Sequence, residues 1–201
     1  DLTKTKTHVL VIDTGIDANH KELKGLLALD KQHASTIGTD LCCTNESKNF
    51  FCDCQGHGTH VAGIVASMTA GYNPNTILHS IKVLDKCGSG SLSSILEGFD
   101  ASIEIKNKYF PNEATIANMS FGISARIPLI DNGVTAMVNA GIFVVAAAGN
   151  SNRDACTFSP AGEPNAFTVA SSNILDKKSS FSNFGSCVDI FAPGENIYST
   201  V

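Results

Sequence analysis

The chain has 201 residues, of which 43% are hydrophobic and 16% are charged. That composition is typical of a globular protein with a sizeable core and excludes a disordered or fibrous chain. Fourteen basic residues stand against 19 acidic ones, which gives a formal net charge of −5. Because the basic residues form no run, the charge balance argues against nucleic acid or an anionic membrane surface as the partner.

Apolar runs of strand length alternate with longer segments of helical periodicity. In chain order, the predicted strands are 8–13, 76–84, 115–120, 142–148, 166–170 and 188–191, and the predicted helices are 59–68, 92–105 and 128–140. Ser91 or Ser93 is the expected cap of the second helix, and Gly141 is expected to end the third. Alternation of this kind predicts an α/β protein whose parallel sheet is covered by helices on both sides.

The longest apolar stretch runs from Ile142 to Ala148. It is far shorter than the roughly 20 residues of a membrane span, so we interpret it as a strand buried on both faces. No repeat, linker or low-complexity segment divides the chain. We therefore expect one domain over residues 1–201 and no membrane partner.

Four polar residues occupy the ends of predicted elements. Asp13 ends the first strand, His57 begins a helix, and Ser120 and Asn150 end two further strands. In open parallel sheets the ligand site lies beyond the carboxyl ends of the strands. We therefore expect these four residues to converge on one edge of the sheet.

Asp13 and His57 are the residue types that activate a hydroxyl nucleophile. A hydroxyl needs a base to take its proton, and the base needs a carboxylate that fixes its tautomer and stabilises its cation. Either residue by itself also fits a structural role, as a turn-capping carboxylate or a helix-start histidine. Gly56 and Gly58 on both sides of His57 allow close backbone packing around the imidazole, which favours the catalytic interpretation.

Four of the seven cysteines fall within the polar segment 42–54, which predicts disulfides and an oxidising compartment. A zinc site is the alternative, because Cys52, Cys54, His57 and His60 are suitable ligand types. The spacing of these cysteines differs from the usual CxxC pairs. No GxGxxG or Walker motif follows a strand, so nothing favours a nucleotide-binding protein.

Several segments, in order along the chain, resemble the subtilisin family of serine proteases, and most closely its proteinase K-like branch. The matching segments are Asp-Thr-Gly-Ile-Asp at 13–17, Gly-His-Gly-Thr-His-Val-Ala-Gly at 56–63, Asn-Met-Ser-Phe-Gly at 118–122, Ala-Ala-Ala-Gly-Asn at 146–150 and Ser-Ser-Phe-Ser-Asn-Phe-Gly at 179–185. The resemblance implies a three-layer α/β fold, with a mostly parallel central sheet and helices on both faces, truncated at both ends.

The resemblance also implies a serine endopeptidase. Asp13 and His57 would belong to its Asp-His-Ser triad, and Asn150 would donate its side-chain amide to the negative oxygen of the tetrahedral intermediate. The residues expected to flank the bound peptide as extended backbone are Gly88, Ser89, Gly90, Ser120, Phe121 and Gly122. Small residues near Gly122 indicate a roomy, apolar pocket and therefore broad, apolar-leaning specificity.

Two disulfides and a metal site are further expectations. The resemblance implies that Cys156 pairs with Cys187, and we also expect Cys54 to pair with Cys87. It implies a structural calcium ion held by the backbone oxygens of Pro164 and Ala166 and the carboxylate of Asp189, since calcium prefers oxygen ligands. A solvated loop is the alternative for these three residues. No cofactor is expected for catalysis.

The expected partners are a protein or peptide substrate and an inhibitory propeptide, and the expected state is a secreted monomer, with a vacuolar or lysosome-like compartment as the alternative. The family's Gly-Thr-Ser-Met-Ala segment, which bears the nucleophilic serine, is not found in the chain. We interpret the chain as part of an active endopeptidase and expect it to be inactive by itself. The alternative is a non-catalytic homologue that binds peptides or inhibitors.

Overall fold

The computed structural model describes residues 6–28, 30–37, 51–73 and 75–200. The strands are β1 (Thr7–Asp13), β2 (Ala34–Ser35), β3 (Thr76–Lys82), β4 (Thr115–Met119), β5 (Phe143–Ala147), β6 (Phe167–Ser172) and β7 (Ile190–Pro193). The helices are α1 (His57–Ala66), α2 (Leu92–Tyr109) and α3 (Pro128–Asn139). Every predicted helix and strand is confirmed. Among the strands and α-helices of the described residues, β2 alone was not predicted, because two residues are too few to show a periodic pattern.

The chain divides into two compact units, residues 1–117 with 199–201 and residues 118–198. In the first unit the strands follow the hydrogen-bonded order β2-β3-β1-β4, and in the second the order is β5-β6-β7. The pairs β1–β3, β2–β3, β5–β6 and β6–β7 are all parallel. The single domain over 1–201 stays a prediction. Within the described part of the chain, no helix is both long and apolar enough to cross a membrane.

Strand β1 forms the centre of the first unit's core. Val9 and Val11 on one of its faces pack in one cluster with Val61 of α1 and Leu78 of β3. Leu10 and Ile12 on the other face are also fully buried. Because both faces are covered, β1 is apolar without alternation, and it carries Asp13 rigidly at its carboxyl end.

The start of α2 and the end of α3 have the local features that the sequence predicts. Ser91 caps α2, because its hydroxyl oxygen accepts a hydrogen bond from the Ser94 amide at 3.0 Å. Gly141, with φ of +81°, follows α3 as predicted, since its left-handed conformation costs glycine little.

The burial of strand β5 differs from the prediction. Val144 and Ala146 are buried, whereas Phe143 is 54% exposed and Val145 and Ala147 are half-buried. The expectation of burial on both faces is therefore wrong. Side chains alternate between the two faces of a strand, and an apolar sequence does not reveal which face its neighbours cover.

A histidine cluster lies at the amino end of β1, opposite to Asp13. His79 Nδ1 donates to the Gln32 carbonyl at 2.9 Å, and its Nε2 accepts from His8 Nδ1 at 2.8 Å. The Glu113 carboxylate lies 3.1 Å from His8 Nε2, and the Glu113 side chain is about half exposed to solvent. Burial lowers the pKa of His79 to about 3, so His79 is neutral in the folded protein.

Candidate active site

Asp13 and His57 form a direct carboxylate–imidazole pair. Asp13 is fully buried at the end of β1, and His57 is the first residue of α1. The imidazole Nδ1 lies 2.8 Å from Oδ1 and 2.9 Å from Oδ2 of Asp13. An ionised carboxylate only accepts hydrogen bonds, so Nδ1 carries the proton. Nε2 of the neutral ring is therefore the nitrogen that can accept a proton.

The pair has the electrostatics of a general base. The hydrogen bond that His57 donates to Asp13 is the main cause of a raised pKa of His57; burial opposes the rise, and the charges of Asp13 and Asp53 add to it. The Asp13 carboxylate is itself held by the Thr14 amide, which donates to Oδ1 at 2.7 Å. The raised pKa makes the imidazole a stronger base.

Glycines allow α1 to approach the end of β1 closely. A Cβ added to Gly58 would overlap the Gly15 carbonyl oxygen and lie 3.2 Å from the Asp13 Cβ. Gly56, directly before α1, has φ of +88°, which L side chains rarely adopt. The close packing predicted around His57 is therefore confirmed.

The second unit brings four of the predicted site residues together. Asn150, in the loop after β5, lines one cavity of about 180 Å³ with Ser120, Phe121 and Gly122. Phe158 contributes an apolar ring to the same cavity. An amide donor thus lies beside a small pocket with mixed polar and apolar walls.

Asn183 holds the loop that carries Asn150, a role that sequence reasoning missed. It is fully buried, and its side-chain amide donates to the Ala148 carbonyl at 2.7 Å. Its carbonyl oxygen accepts from the amides of Ser151 and Arg153, each at 3.0 Å. The only sequence signal was its position within the segment 179–185 that matches the subtilisin family.

The residues Gly88, Ser89 and Gly90 belong to the first unit and lie in the exposed loop before α2. The Asp85 carboxylate accepts from the amides of Ser89 and Cys87, which lowers the pKa of Asp85. Gly88 has φ of +73° and closes this turn. The extended backbone expected here therefore does not hold at Gly88.

One of the two expected disulfides is present. Cys156 and Cys187 are bonded, as the resemblance implied. The pairing of Cys54 with Cys87 is wrong, because Cys87 is a free, exposed thiol while Cys54 is already disulfide-bonded. Cys42 and Cys43 lie outside the described residues.

The alternative of a zinc site is not supported by the bonding of its ligands. The sulfurs of Cys52 and Cys54 both belong to disulfides, and thiolates rather than disulfides bind zinc. His57 Nδ1 is hydrogen-bonded to Asp13. Within the described ranges, no group of three or more His, Cys, Asp or Glu side chains is arranged to hold a metal ion.

The chemistry of the donor set expected for calcium fits that ion. Asp189 Oδ2 accepts from the Thr168 amide at 2.7 Å, and the Asp189 amide donates to the Thr168 carbonyl at 2.9 Å. These two bonds fix the Asp189 carboxylate at Thr168, which lies two residues after Ala166 in the chain. The Ala166 amide donates to the Glu163 carbonyl at 3.0 Å, which closes the turn containing Pro164. A carboxylate and backbone carbonyls are ligands that calcium prefers.

A buried carboxylate bonded to an imidazole at the end of a strand is an arrangement that can activate a hydroxyl nucleophile. Comparison with known proteins gives the family. The model of the Subtilase family matches residues 4–201, and the chain belongs to that family.

Its relatives include proteases of fungi and bacteria. The chain is 45% identical over 195 residues to a cuticle-degrading protease of Metarhizium anisopliae, covering 96% of this chain and 46% of the relative. It is 42% identical over 197 residues to an extracellular serine proteinase of Thermus sp. (strain Rt41A), covering 98% of this chain and 44% of the relative. The chain thus spans less than half the length of these relatives.

The crystal structure of a cold-adapted subtilisin-like serine proteinase has the same fold. It superimposes with a TM-score of 0.79 at 38% identity, over 96% of this chain and 65% of that chain. The α/β, subtilisin-like fold is therefore confirmed.

Proposed function

We propose that the protein to which this chain belongs is a serine endopeptidase that cleaves peptide bonds in proteins. The observation that carries the proposal is the bond of 2.8 Å between His57 Nδ1 and the buried Asp13. His57 Nε2 takes the proton of a serine hydroxyl as that oxygen attacks the peptide carbonyl, and later delivers the proton to the leaving amine. Asp13 stabilises the imidazolium in between. The serine is not assigned to any of the 201 residues.

Asn150 is proposed as the donor to the negative oxygen that develops in the transition state. Asn150 lines the cavity that Ser120, Phe121 and Gly122 also line. The cavity of about 180 Å³ and the Phe158 ring support broad, apolar-leaning selectivity. Together with the exposed segment Gly88–Gly90, these residues are proposed to contact the peptide substrate.

The experiment is fluorophosphonate labelling of the full-length protein, because only an activated serine reacts. We expect one labelled serine in the parent. Asn150→Ala should be labelled about 10²–10³-fold more slowly, since the phosphoryl oxygen uses the same donor. Asn19→Ala, a change at an exposed residue, should match the parent. A folded, full-length protein that is not labelled would contradict the proposal and favour the non-catalytic peptide- or inhibitor-binding homologue.

We propose that Pro164, Ala166 and Asp189 hold a structural calcium ion, which catalysis itself does not require. The carboxylate of Asp189, which is anchored at Thr168 two residues after Ala166, supports this site. Calcium at about 100 times its Kd should stabilise the protein by about 2.7 kcal/mol. For a domain of this size the gain is a rise of about 5–10 °C in Tm over chelator-treated protein.

Thermal unfolding of Asp189→Asn tests the calcium site. This variant should lose the calcium-dependent rise in Tm, because the amide can still accept from Thr168 but carries no charge. Asp176→Asn is the matched control on an exposed turn and should retain the rise. An equal rise in parent and Asp189→Asn would show that calcium binds elsewhere.

We further propose secretion, an inhibitory propeptide and a monomeric state. The Cys156–Cys187 disulfide supports an oxidising compartment, and one relative is named an extracellular proteinase. Nothing supports the vacuolar alternative. Sedimentation of the secreted protein and sequencing of its N-terminus test the monomer and the propeptide.

A further inference from the structure

The Asp53 carboxylate connects the two segments that carry Asp13 and His57. Its Oδ1 accepts from the Thr14 hydroxyl at 2.7 Å and from the Gly56 amide at 2.8 Å. Its Oδ2 accepts from the Thr59 amide at 2.8 Å and from the Thr59 hydroxyl at 2.6 Å. Thr14 directly follows Asp13, while Gly56 and Thr59 lie on either side of His57. Hydrogen bonds to a charged acceptor are roughly twice as strong as neutral ones.

The Thr14 hydroxyl completes the connection. It is buried, and its oxygen accepts from the Gly58 amide at 2.9 Å while its proton goes to Asp53. The hydroxyl therefore donates to Asp53, which precedes His57 in the chain, and accepts from Gly58, which follows it. On the other side of Thr14, the Lys82 ammonium donates to the Thr14 carbonyl at 2.5 Å. The residue after Asp13 is thus fixed by both its side chain and its backbone.

Asp53 is anchored by its chain neighbours. Cys52 and Cys54, on either side of it, are both disulfide-bonded. The Cys52 carbonyl packs against Gly15, where an added Cβ would overlap the carbonyl oxygen. The segment 52–54 is therefore held against the end of β1, and Asp53 cannot move away without disturbing these contacts.

We propose that Asp53 is a positioning residue, which holds the end of β1 and the start of α1 together so that the His57 imidazole stays on Asp13. Asp53 accepts hydrogen bonds from Thr14, Gly56 and Thr59, which are close in sequence to Asp13 and His57. The catalytic meaning of this inference rests on the proposed peptidase function.

The test compares Asp53→Asn with the parent in the full-length protein. The amide keeps one acceptor but cannot accept all four hydrogen bonds. We expect kcat to fall by about 10²-fold, as for a displacement of about 1 Å in a catalytic group, with KM within about twofold. The acid limb of the pH profile should move to lower pH, because the lost negative charge no longer helps to raise the pKa of His57.

Two further variants separate positioning from general stability. Thr14→Val removes the hydroxyl but leaves the Asp53 charge, so kcat should fall about tenfold with less movement of the acid limb. Thr14→Ser retains the hydroxyl and should recover most of kcat. Glu113→Gln makes the same carboxylate-to-amide change at the opposite end of β1, and its kcat and pH profile should equal those of the parent.

Titration of the His57 ring proton by NMR gives a readout that does not need activity. An inactive parent in which Thr14→Val, which keeps the Asp53 charge, still lowers the pKa of His57 would overturn the proposed function but support the positioning role. An active parent with unchanged kcat and unchanged His57 titration in Asp53→Asn would overturn the positioning role alone. Should Asp53→Asn fail to fold, equal kcat in Thr14→Val and Thr14→Ser would overturn it.

Discussion

Replacing His57 with alanine in the full-length protein should lower kcat about a millionfold. Among the residues that the structure describes, the imidazole is the only group bonded to Asp13 that can accept a proton from a serine hydroxyl, so the serine should lose its base when the ring is removed. The residual rate should come from substrate binding and from stabilisation of the oxyanion. KM should change little, because the ring is not among the groups proposed to bind the peptide. Steady-state hydrolysis of a peptide anilide measures both constants.

His20→Ala is the control for this variant. His20 lies in the same unit and accepts from the Glu22 amide at 3.3 Å, so the control removes a ring with a local structural role. Its kcat should stay close to that of the parent. A kcat for His57→Ala within 10²-fold of the parent would show that another group serves as the base.

Replacing Asp13 with asparagine should lower kcat about 10⁴-fold. Oδ1 of Asp13 accepts from the Thr14 amide at 2.7 Å, so the asparagine oxygen should keep that position. The new NH₂ group then occupies the place of Oδ2, 2.9 Å from His57 Nδ1. A donor at that place favours the tautomer with the proton on Nε2, which cannot act as the base.

The pH dependence of Asp13→Asn has a defined sign. Asp13 is the main cause of the raised pKa of His57, so its neutral replacement lowers that pKa. Activity requires the neutral imidazole; the acid limb of the remaining activity should therefore move to lower pH. Asp17→Asn, in the same segment, is the control and should change neither kcat nor the limb. If the acid limb of the Asp13→Asn pH profile lies at the same pH as in the parent, the limb does not report the titration of His57.

Much of the fold and the central pair of the site were predictable because their signals are local. The apolar run before Asp13 predicts a buried strand, and the small residues around His57 predict a tightly packed helix start. Both predictions depend on residues within one element, where hydrophobic periodicity and backbone preferences act. The Cys156–Cys187 pair was predictable only through the resemblance to the subtilisin family.

The parts that sequence reasoning missed depend on contacts between distant segments. Asp53 stands between two cysteines in a polar segment, which gives no periodic signal, and its bond to Thr14 spans 39 positions in the chain. The exposed side of β5 at Phe143 and the free thiol of Cys87 were missed for the same reason, since neighbours in space decide both.

The sequence by itself therefore determined the order of strands and helices, the family, and the pairing of a strand-end carboxylate with a helix-start imidazole. Only the tertiary structure decided how that pair is held. Hydrophobic pattern and propensity are properties of neighbouring residues, whereas a buried carboxylate acquires its role from the donors that folding brings to it.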